Sequence, residues 1–159
     1  MTADRTTIKA TIDELLVELR ANLVADPPTG AKPLRQIAIG DFAVSEFPRP
    51  FLALELTRAR AVGTADGDKL MEISMNLQVV CDALAADSHG ELLDRTSAVD
   101  DCFDNLLGSG LLEGADGLDD RAWSFAHPTT SSGARVATAT ATQTCIVRVE
   151  RSQNRVPAA

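Results

Sequence analysis

Val136 to Glu150 alternates between two kinds of residue almost without interruption. Thr138, Thr140, Thr142 and Thr144 fall on one side, and Ala137, Ala139, Ala141, Cys145, Val147 and Val149 on the other. A period of two marks an extended strand, because successive side chains point to opposite faces of a sheet. Leu70 to Ala83 repeats the pattern, setting Met71, Ile73, Met75, Leu77, Val79 and Cys81 against Glu72, Ser74, Asn76, Gln78 and Asp82. Two long amphipathic strands demand a sheet with one covered face, and the rest of the chain must fit that frame.

The cover is legible in two segments. Thr7 to Val24 spaces Ile8, Ile12, Leu15, Leu16, Leu19 and Leu23 by threes and fours, which predicts an amphipathic helix capped by Thr6 or Thr7. Asp26, Pro27, Pro28, Gly30 and Pro33 then stop it in an extended linker. Ser88 to Leu107 returns to helical spacing through Leu92, Val99, Cys102, Phe103, Leu106 and Leu107, entered by the capping box Ser88 to Glu91.

Between the helices, Leu34 to Gly40 reads as a short strand, and Phe51 to Val62 alternates again through Leu52, Leu54 and Leu56. The polar stretch Gly63 to Lys69 contains an Asp66-Gly67 pair suited to a hairpin turn, so the flanking strands are expected to pair antiparallel. A glycine-rich acidic loop with Glu113, Asp116, Asp119 and Asp120 precedes a short strand at Arg121 to Ala126. The expected architecture is one α+β domain over residues 1–159: a mostly antiparallel sheet of about four to five strands with two amphipathic helices on one face. Its parts are a helix at 7–24, a long β-hairpin at 51–83, a helix at 88–107, terminal strands at 121–150 and a flexible tail at 151–159.

Composition narrows the chemistry. Aromatic residues make up 4% of the chain and tyrosine is absent, so the core must be aliphatic. Cys81, Cys102 and Cys145 form an odd count without C-x-x-C spacing, which reads as small buried hydrophobes in a reducing compartment. A formal charge of −8 disfavours a broad phosphate-binding surface, leaving at most a local basic patch at Arg148, Arg151 and Arg155. The first ten residues lack the apolar stretch of a leader, and no apolar run reaches the roughly 20 residues of a membrane helix. A soluble chain is expected.

No catalytic set emerges. His89 reads as a helix-cap residue and His127 as a turn residue, neither within a recognisable signature. Gly108, Gly110 and Gly114 follow a helix instead of joining a strand to one, so a nucleotide loop is rejected. Asp116, Asp119 and Asp120, and separately Asp66 and Asp68, lack the ligand ladder of a calcium loop and read as solvated acids. No cofactor and no metal is expected. Thr138, Thr140, Thr142 and Thr144 read either as an exposed sheet surface or as part of a subunit contact, with exposure the default. A long outer strand with few charges before Arg148 presents unpaired N–H and C=O groups, which favours an oligomer.

The order of these elements resembles the tail terminator, or tail completion, proteins of long-tailed bacteriophages and phage-like particles. The matching pieces are Thr7 to Val24, Phe51 to Ala83, Ser88 to Leu107 and Arg121 to Glu150, with Gly63 to Lys69 as the hairpin tip. The resemblance rests on element order and size, and it carries over no catalytic residue. It implies a non-enzymatic homo-oligomeric ring, of six subunits, in the neck of a virion assembled in the host cytoplasm. Such a ring caps the tail tube, ends its growth and meets the head connector. Its partners are then itself, the tail-tube protein and the connector, with DNA only passing through the lumen and no membrane involved. Thr138, Thr140, Thr142, Thr144, Asp66 and Asp68 are the candidate subunit-interface residues, and Glu113, Asp116, Asp119 and Asp120 the candidate acidic lumen loop. Another connector or tail-tube subunit, a small ferredoxin-like enzyme and a peptide-binding regulatory module remain as alternatives.

Overall fold

A computed structural model describes residues 7–25, 33–39, 48–82, 88–107, 112–113, 121–129, 133 and 135–150. The fold is α+β: two helices against a mixed, mostly antiparallel sheet. Helix α1 (Ile8–Arg20) starts where the Thr7 hydroxyl accepts from the Ala10 amide at 3.0 Å, filling one of the orphan donors of the first turn. It runs on into a π-helical turn, Ala21–Ala25. Ile12, Leu15, Leu16, Leu19 and Leu23 are buried, so the expected stripe faces the core.

Strand β1 (Gln36–Ile39) follows, then β2 (Phe51–Ala65) and β3 (Asp68–Asp82). Asp66 and Gly67 connect the last two with φ of 53° and 85°. Two successive positive φ values fit a primed two-residue turn, whose twist matches that of paired strands. The expected seven-residue loop is therefore shorter, and the hairpin arms are longer, than the polar composition suggested. Helix α2 (Ser88–Leu107) crosses next, with Leu92, Val99, Cys102, Phe103 and Leu106 buried. The short strands β4 (Leu112–Glu113) and β5 (Ser124–Ala126) precede the long β6 (Val136–Val149).

The sheet is ordered β1-β2-β3-β6-β4, and β5 pairs with the same outer side of β6 further along. Five positions are thus filled by six strands. β1 joins β2 in parallel; every other pairing is antiparallel. One face carries Leu52, Leu54, Met71, Ile73, Met75, Leu77, Val79, Ala137, Ala139, Cys145 and Val147, all buried against the helices. Each fully buried Leu or Ile there contributes about 1.5–3 kcal/mol relative to exposure. A smaller cluster, Phe51, Ala53, Val80 and Val136, is buried on the opposite face at one end of the sheet. The tail at 151–159 lies outside the described residues.

Candidate subunit-contact surface

Pairing register fixes what the helix-free face displays. Successive cross-strand rows read Phe51–Val80–Thr138–Ala126, Ala53–Gln78–Thr140–Ser124, Glu55–Asn76–Thr142, Arg58–Ser74–Thr144 and Arg60–Glu72–Ile146. The threonines of β6 therefore do share one face, but they do not share one environment. Thr138 is 3% exposed, and its hydroxyl donates to the Ala126 carbonyl at 3.4 Å. Burial within the protomer removes it from any contact with another chain, because its row includes Phe51 and Val80 of the small second cluster. Thr140 and Thr142 are exposed. Thr144 is half-buried and shares a 3.2 Å hydrogen bond with Ser74 across the strands.

The second and third rows line an open groove of about 440 Å³. Ala53, Glu55, Asn76, Gln78, Thr140 and Thr142 form its floor, with Ala122 and Ser124 along one side. Among the described residues of its lining, Glu55 is the one ionisable group. His127 lies exposed next to β5, away from this lining, and the side chain of His89 lies outside the described residues. Among the described residues no group of three or more His, Cys, Asp or Glu side chains is placed to hold a metal ion.

Beside the groove runs the outer edge of β2. β1 covers only Phe51 to Leu54, and all four of those residues are buried. From Glu55 to Thr64 every residue is exposed, and among the described residues no strand lies alongside. Two bulges interrupt this edge, Thr57 and Val62 being the extra residues between the Leu56/Arg58 and Ala61/Gly63 pairs. Leu56 and Val62 are 43% and 41% exposed, large apolar side chains on an otherwise polar arm. Arg60 pairs with Glu72 through Nε at 3.0 Å and Nη2 at 3.3 Å. The side chains of Glu55 and Arg58 make no hydrogen bond or ion pair among the described residues.

At the hairpin tip, Asp66 and Asp68 stand near the Arg148 guanidinium of β6, at 3.8 Å and 3.7 Å. Asp66 is almost fully exposed and Asp68 much less so. Of the acidic loop, Asp116, Asp119 and Asp120 lie outside the described residues; Glu113 is placed in β4, level with Ile146.

The strongest polar constellation is one that alternation alone passes over. Arg121, 4% exposed, donates from Nε to Asp100 Oδ1 (2.6 Å) and from Nη1 to Gln143 Oε1 (2.5 Å). Its Nη2 donates to the Asp100 carbonyl (3.0 Å) and to Asp104 Oδ1 (2.6 Å). Trp123 Nε1 adds a bond to Asp100 Oδ1, and Phe103 lies under the guanidinium at 5.6 Å. Burial alone pulls such a cation down, but its hydrogen bonds to Asp100 and Asp104 outweigh that and raise the Arg121 pKa. The network ties α2 to β6 across the stretch between β5 and β4. Its sequence signal was Gln143, a polar residue on the inward side of an alternating strand and 1% exposed, which needs a buried partner.

Cys81, Cys102 and Cys145 are buried free thiols. Burial pushes them up to about 11, about 11 and about 12, which fits inert core residues. Among the described residues no helix is long and apolar enough to cross a membrane. No protein-family model matches the chain, and no curated protein matches it.

Proposed function

We propose that the protein is a non-enzymatic virion assembly subunit of the tail-terminator kind, working as a homo-oligomeric ring at the tail neck. In that role the ring caps the tail tube, ends its polymerisation and joins the tail to the head connector. What carries the reading is the long hairpin arm, whose outer strand is exposed from Glu55 to Thr64. An edge of that length offers a row of backbone donors and acceptors to another chain, and a structural subunit is where such an edge has a use. The order of helix, long hairpin, crossing helix and closing strand supports the same role.

Purified protein measured by sedimentation and imaged by negative-stain electron microscopy tests this directly. A discrete annulus is expected, and adding tail-tube subunits should give tubes that stop where the annulus sits. Unlimited stacking of the protein alone moves it to the tube-subunit class. A monomer at every concentration removes the assembly reading and turns attention to the Thr140/Thr142 groove as a small-molecule or peptide site.

A further inference from the structure

We infer that the exposed edge of β2 is self-complementary and pairs antiparallel with the β2 edge of a second copy, Glu55 opposite Arg60. The inference rests on the self-association in the proposed function, not on the ring; a two-fold contact closes after two copies, and a ring needs a separate head-to-tail contact.

Three observations and one rule of strand pairing carry it. Backbone groups along Glu55 to Thr64 have no neighbouring strand among the described residues, and the segment is exposed throughout. Opposed residues of an antiparallel pair must point to the same face, and a two-fold axis normal to the sheet keeps each face on its own side. Glu55, Arg58 and Arg60 lie in rows of the helix-free face, whereas Leu56 and Ala59 pair with Met75 and Ile73 on the helix side. In a regular strand Glu55 and Arg60 point to opposite faces; the extra residue at Thr57 brings them to the same one.

The bulge thereby permits one register in which Glu55 faces Arg60 of the second copy, Leu56 faces Ala59, and the same contacts repeat about the axis. Each Glu55, which has no ionic partner among the described residues of its own protomer, acquires one, so the pair of copies gains two such contacts. Leu56, 43% exposed in the protomer, gains an apolar neighbour. Shifting the register to place Arg60 opposite Arg58 sets like charges against each other, which disfavours it.

Two variants and one mixture test the pairing. Glu55→Arg touches no partner in the protomer and should keep the native circular dichroism, yet weaken two-fold association about tenfold, as loss of two cross-strand ion pairs requires. Mixing Leu56→Cys protein with Ala59→Cys protein under mild oxidation should give a disulfide-linked pair, while either variant alone should give little. The native cysteines are buried and stay out of that reaction. An oligomer that ignores Glu55→Arg and yields no mixed disulfide overturns this pairing and leaves the ring untouched. A monomer at all concentrations overturns both, and means that the bulges and charges of β2 serve to keep other strands away.

Discussion

Single residues set this molecule's tolerance to change, and Arg121 is the clearest case. Its guanidinium satisfies Asp100, Asp104 and Gln143 at once, so truncation strands acceptors that folding has gathered. Arg121→Ala should lower stability by about 2 kcal/mol, less than for a sealed ion pair because Asp104 still reaches water. A shift in the urea midpoint with an unchanged slope would register it; a midpoint that stays put would show the network to be ornamental. The three thiols set a second limit. Folding holds them above their ordinary value of 9.0, so an unfolded chain releases protons that the folded one keeps. Stability is therefore full below about pH 9, falls by about 1.4 kcal/mol per pH unit for each buried thiol above it, and levels off past the folded values of about 11, about 11 and about 12. Unfolding at pH 8 and pH 10 should differ accordingly, and Cys145→Ala should reduce the difference by about a third if the three contribute alike.

Among the elements, the hairpin shows what alternation can and cannot say. Leu52, Leu54, Met71, Ile73, Met75, Leu77 and Val79 all point as the period of two required, and Asp66-Gly67 makes the turn it suggested. The helical stripes of α1 and α2 were equally plain. Hidden from the sequence were the two bulges, since an extra residue leaves no compositional trace, and the extent of the arms, because Gly63 to Ala65 and Asp68 to Lys69 look like loop but continue the ladder. The threonine face was legible as a face, yet Thr138 is buried because its own row includes Phe51 and Val80 of the smaller cluster, a contact of high sequence separation. Nor does alternation reveal that β1 runs parallel to β2. Gly67 marks the dependence of the hairpin on local backbone. Its φ of +85° suits glycine, and a Cβ there meets nothing within 4 Å, so Gly67→Ala carries conformational strain alone. A loss of about 1 kcal/mol in thermal or chemical unfolding is expected, with the fold retained.

For the whole molecule, the helices and the sheet do different jobs. Both helices lie on one face and build the large core, whereas the other face is mostly a polar carpet of threonine, asparagine, glutamine and serine. A chain with formal charge −8 and such a face is poorly made to grip a polyanion. The proposed neck ring would set such a face against protein, and mass measurement and electron microscopy test it. The interface residues read from sequence divide accordingly: Thr140, Thr142 and Asp66 are open to a partner, Thr144 and Asp68 in part, and Thr138 is spent inside the protomer.

β2 passes from interior to surface between Leu54 and Glu55, within a single peptide unit. Its two parts consequently differ: changes before that junction bear on whether the polypeptide folds, and, under the proposed pairing, changes after it would bear on what the folded product meets. On that reading one continuous strand holds its architecture fixed at the root while its sociable end is left to drift.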